Sequence, residues 1–419
     1  CKVFFMIDDS YLDISDHDSF KSGVPHKTFE RLRNEEPVFW TKEKNGRGFW
    51  SILRHGDILK VNQNYKVFSS ERGIRIEDQT EEEYIARRTF QETDPPAHRN
   101  IRSLLNPAFS KQKMDEYENL VRKLASDIIN QAIQNTKFEA VDKIAKKLPM
   151  MMLGRILGVP EDDLDWLVQK GDALIGNSDP DFSELVIDKE NSEKYRLMPF
   201  RSPAGADLFD YAEKIINGSV DITKEGILFQ MLNHIKTSEG QPVMSNLEFK
   251  NFFCLLVAAG NDTTRYSIAM AVYQLSQNKK LFDYLKSSEN YSRAADEFIR
   301  VASPTMYFRR TATCDFELHE KRIREGDKVV LWFVSGNYDK TVFNNPFNVD
   351  IDRYPNPHLS FGKGGVHFCL GTWLARMELK IILEELCKNI KSLKKLSEPT
   401  WTRSNFICGV KSLDVEIQK

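Results

Sequence analysis

The chain has 419 residues, 41% hydrophobic and 29% charged, with 59 Lys+Arg against 61 Asp+Glu. That length buries a large core, and the balanced charge gives no sign of a nucleic-acid binder. Six scattered cysteines (Cys1, Cys254, Cys314, Cys369, Cys387, Cys408) without a C-x-x-C pair do not describe a disulfide framework.

The start, CKVFFMIDDSYLD, lacks the cationic flank and apolar core of a signal peptide. The longest apolar stretch, 252–259, is closely followed by Asn261 and Asp262 and is too short to span a bilayer. Both features point to a cytoplasmic protein with reduced thiols and no membrane span. PVFWTKEKNGRGFWSIL (37–53) predicts two strands around an Asn-Gly turn. Apolar residues at helical spacing predict helices over 113–136 and 141–157, the second stopped by Gly158-Val159-Pro160. GNSDPDF (176–182) and the polar region 189–203 are loops. Ser245 with Glu248 fits a capping box ahead of the longest helix, 245–276. Another helix covers 289–302 and ends before Pro304. Strand-like segments follow to 334, then an irregular stretch, 335–360, and a last helix over 371–390. Without a repeat or low-complexity linker, the pattern predicts one mainly helical domain, 1–419, with a small sheet assembled from distant pieces.

FGKGGVHFCLG (361–371) places Cys369 in a glycine-rich loop, two residues after His367. Zinc asks for about four ligands, usually in paired spacing, and a phosphate loop for G-x-x-x-x-G-K-[ST]; both patterns are missing. A nucleophilic cysteine stays open at this point, and so does a small buried filler. Four upstream features decide the matter. Ala259-Gly260-Asn261-Asp262-Thr263-Thr264 puts an acid beside an alcohol midway along the longest helix. Glu297 and Arg300 stand at i, i+3 spacing, which suits an ion pair on one helix face. Asp94-Pro95-Pro96-Ala97-His98 with Arg102 opens a helix and aims two basic side chains the same way. Arg310 in FRRTA and His358 in HLSFG add two more.

In this order the features resemble the cytochrome P450 family over nearly the whole chain. The loop resembles that family's F-G-x-G-x-[HR]-x-C-x-G but is one residue longer. Counting back from Cys369, Gly371, His367 and Gly365 fall in register, and Phe361-Gly362 sit one place early. The resemblance implies the triangular P450 fold with heme b between the long helix and the cysteine loop, and Cys369 as the metal ligand. Phe361, Gly362, His367, Gly371, Ala259 and Gly260 would contact the cofactor, and His98, Arg102, Arg310 and His358 its propionates. Thr263 would hydrogen-bond the oxygen substrate where the helix opens slightly, with Asp262 resupplying protons. Glu297 and Arg300 with Arg353 would form a buried network supporting the loop. Val257, Ala258, Pro304, Thr305 and Met306 would line the substrate pocket, with 72–92, 170–200 and 304–308 as walls or lid.

GNSDPDF, AGNDTTR, FRRTA and NPHLSFGKGGVHFCLG are similar to the bacterial P450 subgroup that oxidises terminal methyls of steroid side chains and methyl-branched lipids. The implied reaction is O2-dependent hydroxylation of an apolar, branched chain. Electrons would come from a ferredoxin and its reductase, since no flavin or nicotinamide motif is visible. Lys111, Lys113, Lys363 and Arg376 would form a basic docking patch on a monomeric enzyme. A heme-binding sensor or carrier would need the loop and the propionate cations but not Asp262-Thr263, and a peroxide-driven hydroxylase fits that pair less well.

Overall fold

The computed structural model describes residues 12–235 and 244–419. Residues 1–11, with Cys1 and most of the CKVFFMIDDSYLD stretch, and residues 236–243 lie outside the described residues. At the centre runs the Asn246–Gln277 helix. Ser245 Oγ accepts from the Glu248 N–H at 3.2 Å and the Glu248 carboxylate from the Ser245 N–H at 2.8 Å. The pair satisfies two of the amides that a helix start leaves open. Phe253, Ile268, Ala271 and Leu275 on this helix are buried, because helices Lys147–Leu157, Leu164–Ile175, Pro203–Ile216 and Tyr291–Ala302 pack around it. Among the described residues no helix is long and apolar enough to cross a membrane.

The 37–53 strands form as expected, Val38–Thr41 antiparallel to Phe49–Ile52. Phe49–Ile52 then runs parallel to Lys328–Leu331, which pairs with Phe308–Ala312, and Phe68–Ser69 closes the edge. This five-stranded sheet therefore gathers distant segments, and 304–334 contributes two of its strands. The expected helix over 113–136 is two helices, Lys111–Asp115 and Glu118–Ala132. Ser110 caps the first, its Oγ accepting from the Lys113 N–H at 3.2 Å. The 141–157 segment opens with a π-helical turn, Val141–Ala145, before Lys147–Leu157. It stops at Gly158, whose φ of +81° only glycine adopts without strain. Helices His26–Glu35, His55–Gln63, Leu164–Ile175 and Pro203–Ile216 are additional to the sequence reading.

The last helix, Thr372–Asn389, packs most of one side against Glu118–Ala132 and Tyr291–Ala302. Glu378 lies inside that packing with Oε2 lacking any hydrogen-bond partner. Burial pushes its carboxyl from 4.5 up to about 8. A raised folded-state pKa means a stability contribution present below the unfolded value and lost as pH rises through the folded one. Glu378→Gln is therefore expected to gain stability relative to the parent between about pH 5 and about pH 8, by up to ~1.4 kcal/mol per pH unit. Thermal unfolding across that range checks it; parallel Tm profiles would contradict it.

Candidate active site

The cysteine loop closes on itself: the Cys369 N–H donates to the Phe361 carbonyl at 2.9 Å. Gly362 (φ +70°) and Gly364 (φ +85°) make the turns between these ends. Gly364 and Gly365 lie on the His55–Gln63 helix, and a Cβ on Gly365 would come within 2.6 Å of Asn62 Nδ2. Asn62 Nδ2 donates to the carbonyls of Gly362 and Lys363, 3.1 Å each, and its Oδ1 accepts from Arg310 Nη2 at 3.1 Å. One amide thus holds the loop and an arginine together.

Cys369 has accessible surface because it faces an internal cavity, while protein surrounds it on every other side. Enclosure pushes its thiol up, and the Gly371 N–H, Arg102 and Arg376 oppose that. Gly371 is also the N-cap of the Thr372–Asn389 helix, whose dipole favours negative charge at the sulfur.

The cavity measures about 320 Å3. Cys369, Phe361, Gly362, His367 and Gly371 form one wall; Ala258, Ala259, Gly260 and Thr263 of the long helix belong to another. Pro304 and Thr305 line it, as do Gly73, Phe90, Glu92, Ile175, Ile187 and Pro199 from the segments expected as walls. Two expected pocket residues are placed elsewhere. Val257 sits a helix step round from the cavity face, its Cγ1 packed on Gly171. Met306 follows Thr305 in extended chain and so points to the opposite side, fully buried.

The basic side chains divide into two groups. Arg102 and His367 reach the cavity wall. Arg102 donates to the Phe368 carbonyl. His98 is buried behind His367, ring centroids 4.1 Å apart, and neither of its ring nitrogens has a hydrogen-bond partner. Burial and then Arg102 push His98 down to about 4. Burial, with Arg310 next, holds His367 well below its ordinary value. His367 keeps one bond, Nε2 to Ser70 Oγ at 3.0 Å. Arg310 and His358 do not line the cavity. Arg310 is held by Asn62 and the Arg309 carbonyl, and His358 Nε2 lies 3.5 Å from Asp296 Oδ1.

The acid and the alcohol of the long helix lie on different faces. Thr263 lines the cavity and its Oγ1 donates to the Ala259 carbonyl at 3.2 Å. Ser267 Oγ donates to the Thr263 carbonyl at 2.9 Å. These side-chain bonds add to the backbone ladder without interrupting it, so the helix is continuous here rather than opened. Asp262 is buried away from the cavity, 3.0 Å from Arg265 Nη2 and accepting from Asn261 Nδ2 at 3.1 Å. Arg265 also binds Asp172 at 2.7 Å, and Lys146 stands 3.3 Å from Asp172. Burial pushes Asp262 up to about 8 despite Arg265, and its Oδ2 has no partner.

Glu297 and Arg300 are completely buried. The Glu297 carboxylate accepts from Arg300 Nε (2.8 Å) and Nη2 (2.7 Å), Arg353 Nε (3.0 Å), Asn356 Nδ2 (3.1 Å) and the Asp350 N–H (3.0 Å). Burial opposes its charge, but these bonds, those of Arg300 first, hold the carboxyl below its ordinary value. Arg300 Nη1 continues to the Asn337 carbonyl at 2.8 Å, and Asn337 bonds the Leu359 N–H (2.6 Å) and Ser360 Oγ (2.9 Å). The network thus ends on the cysteine loop through Asn337, a residue the sequence reading passed over. Asn62 was missed likewise; a single amide in a helix carries no spacing signal.

Of the four cations read as a docking patch, Lys111 pairs with Asp115 and Lys113 with Glu116, each at 2.6 Å. Arg376 pairs with Asp296 at 2.6 Å beneath Phe361, and Lys363 is exposed.

The family model for cytochrome P450 matches residues 292–406. Similar curated proteins include linalool 8-monooxygenase of Pseudomonas putida, 33% identical over 96% of this chain and 98% of that one. Another is the methyl-branched lipid omega-hydroxylase of Mycobacterium tuberculosis, 33% identical over 92% of this chain and 90% of that one. Among solved structures, a Mycobacterium marinum cytochrome P450 in complex with pseudoionone superposes with a TM-score of 0.83, at 30% identity and over 93% and 94% of the two chains. With relatives of this identity spanning almost its whole length, the chain belongs to the cytochrome P450 family: it is a P450 monooxygenase, and its cofactor is heme b.

Proposed function

We propose that the whole chain is one heme-thiolate domain hydroxylating a terminal or allylic methyl of a branched isoprenoid, steroid or lipid chain, with electrons from a ferredoxin and its reductase. The observation that carries this reading is that Cys369 and Thr263 line one predominantly apolar cavity. The donors present suit a flat dianionic metal complex. A sulfur opens to the cavity, and beside Arg102 both ring nitrogens of His98 and Nδ1 of His367 lack partners. Cys369 would hold the iron, and Arg102, His367 and, behind it, His98 would meet the propionates, with Arg310 and His358 steadying their surroundings. Phe361, Gly362, Gly371, Ala259 and Gly260 would form its apolar contacts.

When bound, the heme supplies reductive activation of O2, one oxygen atom entering a C–H bond and the other leaving as water, at the cost of two external electrons. The chain's own groups set where the protons come from. Thr263 Oγ1, by turning from the Ala259 carbonyl, presents a donor to the cavity. Asp262, on the other face, has its pKa raised by burial, so it holds a proton more readily than an ordinary carboxyl. Pro304, Thr305 and Ala258 would confine the substrate's end. The activities of the relatives, linalool 8-monooxygenase and methyl-branched lipid omega-hydroxylase, support a branched chain as substrate.

Titration of the heme Soret band with cholestenone, a terpene alcohol and a methyl-branched fatty acid tests the substrate class. A high-spin shift with at least one is expected, and none with any would refute it. Thr263→Ala should keep reductant consumption while product per NADPH falls about tenfold or more, the loss expected for a positioned proton donor. Unchanged coupling, measured as product against peroxide released, would remove Thr263 from this role.

A further inference from the structure

The end of the cavity remote from Cys369 is polar in a particular way. Asn251 lies near the start of the long helix, lines the cavity and is 1% exposed. Its Nδ2 donates to the Ala86 carbonyl at 3.0 Å, which fixes the amide orientation. Its Oδ1 has no hydrogen-bond partner. A buried acceptor left open costs free energy unless something donates to it. Thr263 stands twelve residues further along the same helix, so the two ends of the cavity wall are separated by ~18 Å. Leu255 and Ala259 line the cavity between them.

The surrounding charges say which group belongs there. The arginines in this part of the wall already have carboxylates: Arg75 with Glu77 (3.0 Å), Arg87 with Glu83 (3.9 Å), and Arg201 with Glu193 (3.3 Å). Glu92 lines the same wall and accepts from the Thr89 N–H at 3.1 Å. Among the described residues no cation stands in ion-pair contact with it. An ionised carboxylate head has no proton to give Asn251 Oδ1, even though Arg75 Nε and Arg201 Nε in this wall are unpartnered. A cationic head would meet Arg75 and Arg87. A neutral donor satisfies Asn251 without either conflict.

We propose that Asn251 is a specificity-determining residue: its Oδ1 accepts a hydrogen bond from a hydroxyl at the far end of the substrate. Oxidation then falls on the methyl lying about the length of this wall away. The inference rests on the branched-chain reading given above and adds the substrate's second functional group. A primary alcohol on a saturated isoprenoid chain is the simplest molecule meeting both demands.

The test uses the holoenzyme with hexahydrofarnesol and its hydrocarbon counterpart, farnesane, by Soret titration and by product analysis with a surrogate ferredoxin, reductase and NADPH. The alcohol is expected to bind about tenfold more tightly, and to be oxidised only at the end remote from its hydroxyl. Farnesane is expected to be oxidised at both ends. In Asn251→Leu the two affinities converge and oxidation of the alcohol loses its end preference. The regiochemistry of the unsubstituted enzyme gives an independent readout should that variant fold poorly. Equal affinities with terminal oxidation of both compounds in the unsubstituted enzyme would overturn the Asn251 anchor and leave the branched-chain reading standing. Binding of neither compound would overturn both.

Discussion

Cys369→Ser is expected to abolish turnover and the strongly red-shifted Soret band of the reduced, CO-bound protein. The red shift depends on a thiolate, and among the described residues Cys369 is the cysteine of the loop wall beneath the long helix. Cys254 also lines the cavity, but burial holds its thiol far above the ordinary range, and no charged group offsets this. Cys369 by contrast has the Gly371 N–H, Arg102 and Arg376 to favour the thiolate. Loss of activity should come without loss of fold, because the loop is closed by the backbone bond from Cys369 to Phe361, which a serine retains. Circular dichroism and Tm would stay close to the parent. A red-shifted band surviving in the variant would mean that another sulfur binds the iron.

Glu297→Gln should have the largest effect on stability. The carboxylate answers two arginines, an asparagine and a backbone amide, with no exposure to water. Glutamine keeps the shape but removes the charge and turns one acceptor into a donor facing a guanidinium. Breaking a buried pair in this way costs about 3–5 kcal/mol. The loss should reach the cofactor as well, through Arg300, Asn337 and the Leu359 N–H. Urea unfolding and heme content of the purified protein measure the two consequences. An unchanged midpoint with full heme content would show that the network is dispensable.

The parts legible in the sequence were those whose physics is local. Capping of the long helix by Ser245 and Glu248, its polar interruption at Asp262-Thr263, the Glu297–Arg300 spacing and the Gly158 stop all depend on neighbours within a turn or two. What depended on distant packing was less visible. The division of 113–136 into two helices falls at Glu116–Tyr117, where no side-chain cap marks the second start. The family resemblance implies Val257 and Met306 in the pocket, but helix and strand periodicity turn them away. Asp262 and Thr263, adjacent in the chain, face opposite sides for the same reason. Asn62 holds the cysteine loop by the Gly362 and Lys363 carbonyls, and Asn337 steadies its approach by the Leu359 N–H, besides the Ser303 and Ser360 hydroxyls. Such partners leave no trace in residue identity.

The bond between the Cys369 N–H and the Phe361 carbonyl divides the loop into a rim beside the cavity and a bight between its ends. Gly362, His367 and Phe368, at the roots of the bight, line the cavity with Cys369, while residues 363–366 at its tip do not. The bight is seated on Asn62 and Gln63, so a residue can be gained or lost there while the two ends remain clasped. Loop length and electronic character are thereby separable quantities. A lineage can lengthen the segment, or reshape the face it shows to an electron donor, while the thiolate's own environment stays constant.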